Sequence, residues 1–299
     1  MKRRILLLVK NFPPWRTEPN TANLVKYLGR QGWKLDVLCS EPGWGVATHA
    51  LVRDEEQLRA LHPSTEVIRA KTLNPVRGLG LLLKGRGGAP SSSEKVSRRH
   101  VSALGRLARS FLHLPDSEYY WFYPAVARGL RLIGRRRPGL LLTSGPPFTT
   151  HLAGLVLKAL TGIPWVCHSR DLFLENPLYT PWLPWRRGLD KTLERLVMRS
   201  ADAVTTVYPE ATELLRRRYR RPGQICRTIR NGYDEELFAA AEPVHSDRFT
   251  ILYGGRLAAH DADGRTGWSL LDGFELMLRR RPELRAGVRL KLVGNVHPR

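Results

Sequence analysis

The sequence is poor in cysteine, in acidic residues and in long apolar runs, and each shortage excludes a class of protein. Its three cysteines, Cys39, Cys167 and Cys226, stand beside aliphatic residues and form no C-x-x-C pair. This pattern predicts buried thiols in a reducing compartment rather than disulfides or metal ligands. No apolar run approaches the roughly 20 residues that cross a bilayer. The opening KRRILLLV imitates a signal peptide, but Lys10 and Asn11 follow the apolar run at once, so the segment predicts a first strand.

The shortage of acidic residues gives the chain a strong positive charge. Its 49 Lys and Arg residues face 27 Asp and Glu residues, for a formal net charge of +22. Such a charge favours an anionic partner, which is nucleic acid, an acidic membrane surface or a phosphorylated substrate. The sequence has neither a helix-turn-helix pattern nor the basic and aromatic motifs of nucleic-acid-binding domains, so a specific nucleic-acid partner is the least favoured of the three.

Short aliphatic runs alternate with segments of helical periodicity along most of the chain. Apolar residues at helical spacing predict helices over 22–30, 148–160 and 189–197. Alternation of this kind predicts an α/β fold with a mainly parallel sheet and helices on both sides. The predicted strands are Arg4–Val9, Lys34–Cys39, Glu66–Arg69, Gly139–Thr143, Pro164–Cys167, Ala203–Val207, Ile225–Ile229, Phe249–Tyr253 and Val288–Val293.

The pattern restarts after the turn signal at Asn231-Gly232. Residues 239–248 have the composition of a linker, and a single strand–helix–strand unit follows over 249–299. One such unit buries too little apolar surface to form a complete domain. We therefore expect a first domain over 1–238 and an incomplete second domain, in a chain that is a fragment or is completed by a partner chain.

A basic segment over 94–114 follows a Gly/Pro/Ser-rich insertion over 85–93 and places its apolar residues on one helical face. Two interpretations stay open. The helix either lies on an anionic membrane with its arginines against the headgroups, or packs on the sheet as a surface helix. With no membrane-spanning segment predicted, we expect a cytoplasmic protein that is soluble or peripheral to the inner face of the plasma membrane.

In the stretch GIPWVCHSRDLF (162–173), four consecutive polar residues follow a predicted buried strand. His168, Ser169, Arg170 and Asp171 follow the apolar run directly. A parallel sheet collects its polar residues at the carboxyl ends of its strands, and open α/β sheets bind ligands there. From these residues alone, a strand end followed by a solvated loop is an equally good interpretation.

Five motifs, in their order and spacing, resemble the GT-B glycosyltransferases of the retaining group called family 4. The resemblance covers nearly the whole chain and implies two Rossmann-like domains, the second incomplete here. Members of this family transfer a sugar from a nucleotide-diphosphate donor to an acceptor hydroxyl in the cleft between the domains. The matching stretches are NFPPW (11–15), SGPPFTTHLAG (144–154), SRDLF (169–173), IRNGYDEELF (229–238) and ILYGGRL (251–257).

The resemblance assigns the nucleotide sugar to the second domain. The paired glycines Gly254 and Gly255 let the backbone approach the diphosphate, Arg256 and Arg265 supply cations for it, and Asn231 belongs to the same donor-binding set. The family implies retention of configuration, with no metal and no cofactor besides the donor substrate. The D-x-D of HDADG (260–264) matches a metal motif of another glycosyltransferase architecture, and we interpret it here as a solvated loop.

On the first domain, the resemblance places sugar and acceptor beside the polar end of the 162–173 stretch. Asp171 and Arg170 are the favoured catalytic pair, and His168 is the second choice; His168 and Arg170 share a face only if the strand persists. The loop after strand one lacks the paired glycines of many relatives. The acceptor-side residues expected from this loop are Pro14, Trp15, Arg16, Thr21 and Asn23.

The leading hypothesis is a glycosyltransferase that acts on a lipid-linked or polysaccharide acceptor in cell-envelope glycan synthesis. The family's loop with two spaced glutamates and its closing helix have no counterpart before residue 299, so we leave open whether this chain is active alone. One alternative is a non-catalytic partner subunit that binds membrane and acceptor. A basic nucleic-acid-binding protein and an epimerase of the same two-domain architecture are less favoured.

Overall fold

The computed structural model describes residues 3–14, 19–41, 55–72, 114–176, 179, 184–239, 246–255 and 268–294. Within it the chain divides into two compact units, Met1–Tyr233 and Asp234–Arg299. The division falls directly after the Asn231-Gly232 turn, whereas the sequence places the end of the first domain at 238. The basic segment over 94–113 lies outside the described residues, so its two interpretations remain predictions.

The first unit alternates strands and helices. Its described elements are β1 (Arg4–Val9), α1 (Pro19–Arg30), β2 (Lys34–Ser40), α2 (Glu55–Arg59), β3 (Thr65–Ala70), a 3-10 turn (Tyr119–Trp121), α3 (Phe122–Arg136), β4 (Leu140–Gly145), α4 (Thr149–Thr161), β5 (Trp165–Ser169), α5 (Pro184–Ser200), β6 (Ala203–Thr206), α6 (Pro209–Tyr219) and β7 (Ile225–Thr228). The strands form a parallel sheet in the order β3-β2-β1-β4-β5-β6-β7. Every strand predicted in this unit is present, within two residues at each end, which confirms the α/β fold class.

The sheet is buried on both faces, as parallel sheets generally are. In β1, Ile5 and Leu7 belong to the core shared with α1, whereas Leu6 and Leu8 belong to the core that α3, α4, α5 and α6 cover. The strand order reverses between β1 and β4, because β2 and β3 extend the sheet in one direction and β4 to β7 in the other. The carboxyl ends of β1 and β4 therefore flank the crevice at which such sheets bind ligands.

Two of the arginine-rich runs end helices that the sequence did not predict. Arg135 and Arg136 lie in the last turn of α3, and Arg216, Arg217 and Arg218 lie in the last turn of α6. Cations stabilise the negative end of the helix dipole there. Part of the large positive charge thus serves the helices themselves rather than a partner.

The second unit contains α7 (Glu235–Ala239), β8 (Phe249–Gly254), α8 (Trp268–Arg280), a 3-10 turn (Pro282–Arg285) and β9 (Val288–Val293). Its two strands are parallel, as the sequence predicts for one strand–helix–strand unit. Asp234 is its only buried residue within the described ranges, and Phe249 is 71% exposed. The unit therefore buries very little apolar surface, as expected for a single strand–helix–strand unit.

Two of the three cysteines are buried, as predicted. Cys39 and Cys167 are fully buried free thiols, whereas Cys226 is only half-buried because β7 is the edge strand of the sheet. Among the helices within the described ranges, none has the length and apolar character needed to cross a membrane.

The contact between α4 and the sheet depends on Gly154. A Cβ atom there would lie 2.6 Å from Cγ2 of Thr143 and 2.8 Å from Cζ2 of Trp165, whereas a Cβ atom at Gly134 of α3 meets nothing within 4 Å. We expect Gly154→Ala to lower the free energy of unfolding by about 1–3 kcal/mol through overpacking. Gly134→Ala should raise it by about 0.4–1 kcal/mol, because the unfolded chain loses freedom. Urea unfolding of both variants checks this, and destabilisation of the same size in both would contradict it.

Candidate functional site

A cleft of about 570 Å³ opens where the carboxyl ends of β1, β4 and β5 converge. Lys10 and Asn11 follow β1, Pro146 follows β4, and Asp171 lies just beyond β5. These strands flank the point at which the strand order reverses. The cleft therefore occupies the position at which open α/β sheets place their ligands.

One wall of the cleft is held by Asp116. Its carboxylate accepts hydrogen bonds from the backbone N–H of Thr149 (2.9 Å), the hydroxyl of Thr149 (2.7 Å) and the backbone N–H of Glu118 (2.9 Å). Burial raises the pKa of Asp116, and these hydrogen bonds oppose the shift. Because Thr149 is the first residue of α4, this carboxylate fixes residues 115–118 against the start of the helix.

The cleft is acidic although the chain is strongly basic. Among the described residues that line it, the two cations are already paired, Lys10 with Glu118 and Arg186 with Asp190, the latter at 2.7 Å. The same residues include the carboxylates of Asp116 and Asp171, so carboxylates outnumber cations by four to two in the described lining. Such a lining suits a ligand that donates hydrogen bonds through hydroxyl groups better than it suits a free phosphate.

Aromatic rings form a flat part of the cleft. Phe148 and Phe173 stack with centroids 4.1 Å apart and an interplanar angle of 10°. Tyr179 packs edge-on against Phe173 at 5.5 Å and donates its hydroxyl to Asp190 at 2.7 Å. A planar apolar surface beside carboxylates matches a sugar ring, which presents C–H groups on its faces and hydroxyls around its rim.

His151 of α4 lines the cleft, and its Nδ1 is bonded to Thr143. The indole N–H of Trp165 donates to Thr143 Oγ1 at 2.9 Å, and Thr143 Oγ1 lies 2.9 Å from His151 Nδ1. We interpret the Thr143 hydroxyl as the donor to Nδ1, which places the ring proton on Nε2. Burial, with smaller contributions from His168 and Arg170, lowers the pKa of His151 to about 3, so the ring is neutral. Nε2 faces Gly145, where a Cβ atom would approach it to 2.4 Å.

A second cavity, of about 440 Å³, lies on the α1 side of the sheet. Nδ1 of His168 is 2.9 Å from Oγ1 of Thr205 on β6, and both side chains line this cavity. Burial, followed by the nearby charge of Arg170, lowers the pKa of His168 to about 4. His168 is thus a neutral imidazole that is bonded to the neighbouring strand.

The structure separates the predicted catalytic residues into two groups. His168 and Arg170 line the 440 Å³ cavity, whereas Ser169 and Asp171 line the 570 Å³ cleft. The backbone N–H of Arg170 donates to the carbonyl of Gly145 at 3.0 Å, which extends the pairing of β4 with β5 by one residue before the chain bends at Arg170 and Asp171. Asp171 and Arg170, the predicted catalytic pair, line different cavities.

The other predicted site residues are distributed as follows. Thr21, Asn23 and Asn231 line the 440 Å³ cavity, and Pro14 is buried outside both cavities. Gly254 and Gly255 end β8 in the second unit. The roles proposed for these residues stay predictions, and the remaining predicted residues, Trp15, Arg16, Arg256 and Arg265, lie outside the described residues, as does the HDADG segment.

A close backbone approach within the second unit, different from the expected approach of Gly254 and Gly255 to a diphosphate, joins Gly255 to a glycine that the sequence analysis did not consider. The backbone N–H of Gly255 donates to the carbonyl of Val293 at 2.9 Å. Gly294 has φ of 142°, and a Cβ atom there would lie 1.8 Å from the carbonyl oxygen of Gly255. A Cβ atom at Gly254 meets nothing within 4 Å, so the approach depends on Gly255 and Gly294.

Sequence reasoning missed most ionisable groups of the cleft. They share no regular spacing along the chain, because they come from several segments. His151 stands inside the quoted SGPPFTTHLAG motif, and Lys10 directly follows the first strand, so the motif held a signal for the first and the strand end for the second. The missed residues are Lys10, Asp116, Glu118, His151, Tyr179, Arg186 and Asp190.

The neutral state of His168 makes stability depend on pH. The unfolded histidine binds a proton below its ordinary pKa of about 6.5, whereas the folded one does so only below about 4. The contribution of His168 to stability should therefore rise with pH between these values and then level off, by at most about 1.4 kcal/mol per pH unit. We expect His168→Gln to reduce the slope of the free energy of unfolding against pH by the equivalent of about one proton. Urea unfolding at several pH values between about 4 and 6.5 measures this slope.

The matched control for this prediction is Thr205→Val. It removes the hydroxyl bonded to His168 but keeps the titrating ring, so it should lower stability at every pH and leave the slope in place. An unchanged slope in His168→Gln would show that this histidine is protonated in the folded protein.

The tautomer of His151 is also testable. In nitrogen-15 NMR spectra, the wild-type ring should show a protonated Nε2 and an unprotonated Nδ1. Thr143→Val removes the hydroxyl donor, and we expect the Nδ1 resonance to shift because Cys167 Sγ, at 3.4 Å, is then the remaining neighbour. Thr161→Val, which removes a hydroxyl at the far end of α4, should leave the resonance unchanged; a protonated Nδ1 in the wild type would contradict the assignment.

Comparison with solved structures supports the fold at low sequence identity. The chain resembles the N-terminal domain of Candida albicans trehalose-6-phosphate phosphatase (13% identity, TM-score 0.58, covering 100% of this chain and 65% of that one). It also resembles UGT89C1 of Arabidopsis thaliana solved with UDP-L-rhamnose (12% identity, TM-score 0.53, covering 98% of this chain and 70% of that one). A third similar structure is sucrose-phosphate synthase of Thermosynechococcus elongatus (14% identity, TM-score 0.52, covering 98% of this chain and 71% of that one). The chain therefore spans about two thirds of the length of these structures.

None of the curated protein sequences matches this chain. The sequence model described as "Glycosyl transferase 4-like domain" matches residues 17–232, which include strands β2 to β7 and the cleft lining except Lys10 and Asn11. This match confirms the resemblance that the motifs indicated. The chain belongs to the glycosyl transferase 4-like family.

Proposed function

We propose that the first unit is the acceptor-binding half of a nucleotide-sugar-dependent glycosyltransferase, and that the acceptor hydroxyl reacts in the 570 Å³ cleft beside Asp171. The observation that carries this proposal is the acidic, aromatic-walled lining of a cleft at the reversal of strand order in a chain of net charge +22. Hydroxyl groups of a glycan donate to the carboxylates, and one of its ring faces lies against Phe173, which Phe148 supports from behind.

The chemistry of sugar transfer explains this charge pattern. In the transition state the leaving diphosphate gains negative charge, and the sugar ring gains positive charge. Carboxylates on the acceptor side stabilise the positive ring. Asp171 is exposed at the cleft and accepts the hydrogen bond of the attacking hydroxyl, and the neutral His151 donates from Nε2. His168 and Arg170 line the other cavity, so we assign them supporting roles.

The donor belongs to the second unit in this proposal. Gly254 and Gly255 end β8, and Arg256 and Arg265 are the proposed cations for the diphosphate. The nucleotide sugar is a substrate, and the proposal includes neither a metal nor another cofactor. The Arabidopsis neighbour, which was solved with UDP-L-rhamnose, supports a nucleotide-sugar donor for this fold.

For the acceptor, we propose a lipid-linked or polysaccharide glycan of the cell envelope, used with retention of configuration at the cytoplasmic side of the membrane. The net charge of +22 supports an acceptor attached to phosphate or to an anionic surface. Retention rests on the family alone.

A second candidate function is a partner subunit that binds the acceptor while another chain supplies the donor site. The observation that favours it is the second unit, whose described residues include a single buried side chain. A transferase should release nucleoside diphosphate by itself, whereas a partner subunit should do so only when a second chain is added.

We expect Asp171→Asn to lower kcat by about 100-fold or more, because the exposed carboxylate loses its charge with little change in shape. The assay follows release of nucleoside diphosphate from a panel of UDP-, GDP- and TDP-sugars in the presence of a lipid-linked glycan acceptor. The control is Glu213→Gln on the exposed face of α6, outside the cleft, which should leave kcat within about twofold.

Two results would count against the proposal. Equal kcat values for Asp171→Asn and the wild type would remove Asp171 from the reaction. Binding of the glycan acceptor that is unaffected by Phe173→Ala would place the acceptor outside the cleft, because Phe173 forms its stacked wall.

A further inference from the structure

Arg186 joins two parts of the cleft that are far apart in the sequence. It lies in the first turn of α5, lines the cleft and is only 4% exposed. Its Nη2 donates to the carbonyl of Pro115 at 2.8 Å, and its Nε donates to Oδ1 of Asp190 at 2.7 Å. One side chain therefore contacts both α5 and the segment over 115–118, which we call the 115–118 wall.

Asp190 extends this connection to the aromatic wall, which consists of Phe148, Phe173 and Tyr179. Its Oδ2 accepts the hydroxyl of Tyr179 at 2.7 Å, and the ring of Tyr179 packs edge-on against Phe173 with the centroids 5.5 Å apart. The two carboxylate oxygens thus serve Arg186 and Tyr179 separately. A continuous chain of contacts therefore connects the 115–118 wall to the aromatic wall.

Burial makes this connection stiff. The side chains of Arg186 and Asp190 are 5% and 1% exposed, so water does not weaken their attraction as it weakens a surface ion pair. The guanidinium is planar and presents its N–H groups in fixed directions. Pro115 therefore cannot move away from Asp190 without breaking a hydrogen bond of a buried charge.

Two other roles for this arginine fit the structure less well. A buried ion pair adds little net stability compared with apolar residues of similar size, because both charges lose their hydration. An arginine that binds a ligand phosphate presents its N–H groups to the ligand, whereas two of the three nitrogen atoms of Arg186 already donate to protein oxygens.

We propose that Arg186 is a positioning residue that sets the width of the cleft by holding the 115–118 wall at a fixed distance from the aromatic wall. Asp190 holds the arginine in place. The inference rests on the proposed function in one respect, since the molecule between the two walls is then a sugar ring of the acceptor. A fixed spacing lets polar groups of 115–118 reach the hydroxyls of a ring that lies against Phe173.

Arg186→Lys removes the connection but keeps the charge. A lysine retains the ion pair with Asp190, but its single ammonium nitrogen does not reproduce the separate bond to Pro115. The matched control is Arg4→Lys at the start of β1, at the opposite end of the sheet. Arg4 also pairs with a buried carboxylate, that of Asp36, at 3.0 Å. Both variants should unfold within about 5 °C of the wild type.

Amide hydrogen exchange, followed by NMR on the 299-residue chain, reports on the 115–118 wall without any substrate. The backbone N–H groups of Glu118 and Thr149 both donate to Asp116. Arg186→Lys should speed the exchange of these two amides about tenfold, because one hydrogen bond fewer holds the wall. Exchange at Leu142, inside β4, should not change.

Two comparisons make this measurement decisive. Arg4→Lys should leave all three exchange rates within about twofold of the wild type. The double variant Arg186→Met with Asp190→Asn leaves no buried charge unpaired, and it should speed the same two amides as Arg186→Lys does. Unchanged exchange in both Arg186 variants, or equal acceleration by the Arg4 control, would overturn the proposal.

Steady-state kinetics test the consequence for the acceptor, with the donors and the lipid-linked acceptor of the Asp171→Asn assay. Arg186→Lys should raise the KM for the acceptor about tenfold, the equivalent of one hydrogen bond, and change kcat and the KM for the donor by less than about twofold. A merely structural role would lower kcat, through loss of folded enzyme, and leave the KM for the acceptor unchanged. That result would overturn the proposal.

Two further outcomes separate this inference from its alternatives. Inhibition by pyrophosphate should be the same in Arg186→Lys and the wild type, and weaker inhibition of the variant would assign the arginine to phosphate binding and overturn the proposal. If the wild type shows no turnover while the exchange rates respond as expected, the positioning role of Arg186 stands and the proposed function fails.

Discussion

One backbone hydrogen bond determines how the candidate site is divided. The N–H of Arg170 donates to the carbonyl of Gly145 and prolongs the pairing of β4 with β5 beyond the last strand residue. Along the paired backbone, alternate side chains lie on opposite faces of the sheet. His168 and Arg170 therefore join Thr205 beside α1, and Ser169 joins the cleft beside α4, which Asp171 also lines after the chain bends. Four consecutive polar residues thus serve two different cavities.

The cleft combines features that are costly to place elsewhere in the fold. A parallel sheet leaves room for carboxylates only at its strand ends, because both of its faces are apolar. Three polar groups of the cleft have defined partners: Asp116 has Thr149, Asp190 has Arg186, and the ring of His151 has Thr143. Preorganised groups of this kind do not need to rearrange when a ligand binds.

The architecture was predictable from sequence, since uninterrupted aliphatic runs mark buried parallel strands and their alternation with helical segments implies a parallel sheet. Helices α3 and α6 were missed because their arginine-rich ends, at 135–136 and 216–218, resemble solvated charge runs.

The candidate site was predictable only in part. Asp171 follows from the end of a strand, whereas its separation from Arg170 depends on one backbone hydrogen bond that no spacing reveals. Asp116 reaches the cleft through a contact across 33 residues, for which a single sequence carries no signal.

The carboxylate of Asp116 also has a consequence for how the protein folds. It accepts the hydrogen bond of the first N–H of α4. Asp116 precedes both α3 and β4 in the chain. Most helices are capped by a neighbour within a few residues and complete their first turn locally. Here the first turn of α4 is completed only when the chain between 116 and 149 has closed on itself, at the entropic cost of that loop. The start of the helix and the wall of the cleft are therefore one cooperative element, so order at the binding surface is coupled to the assembly of the core.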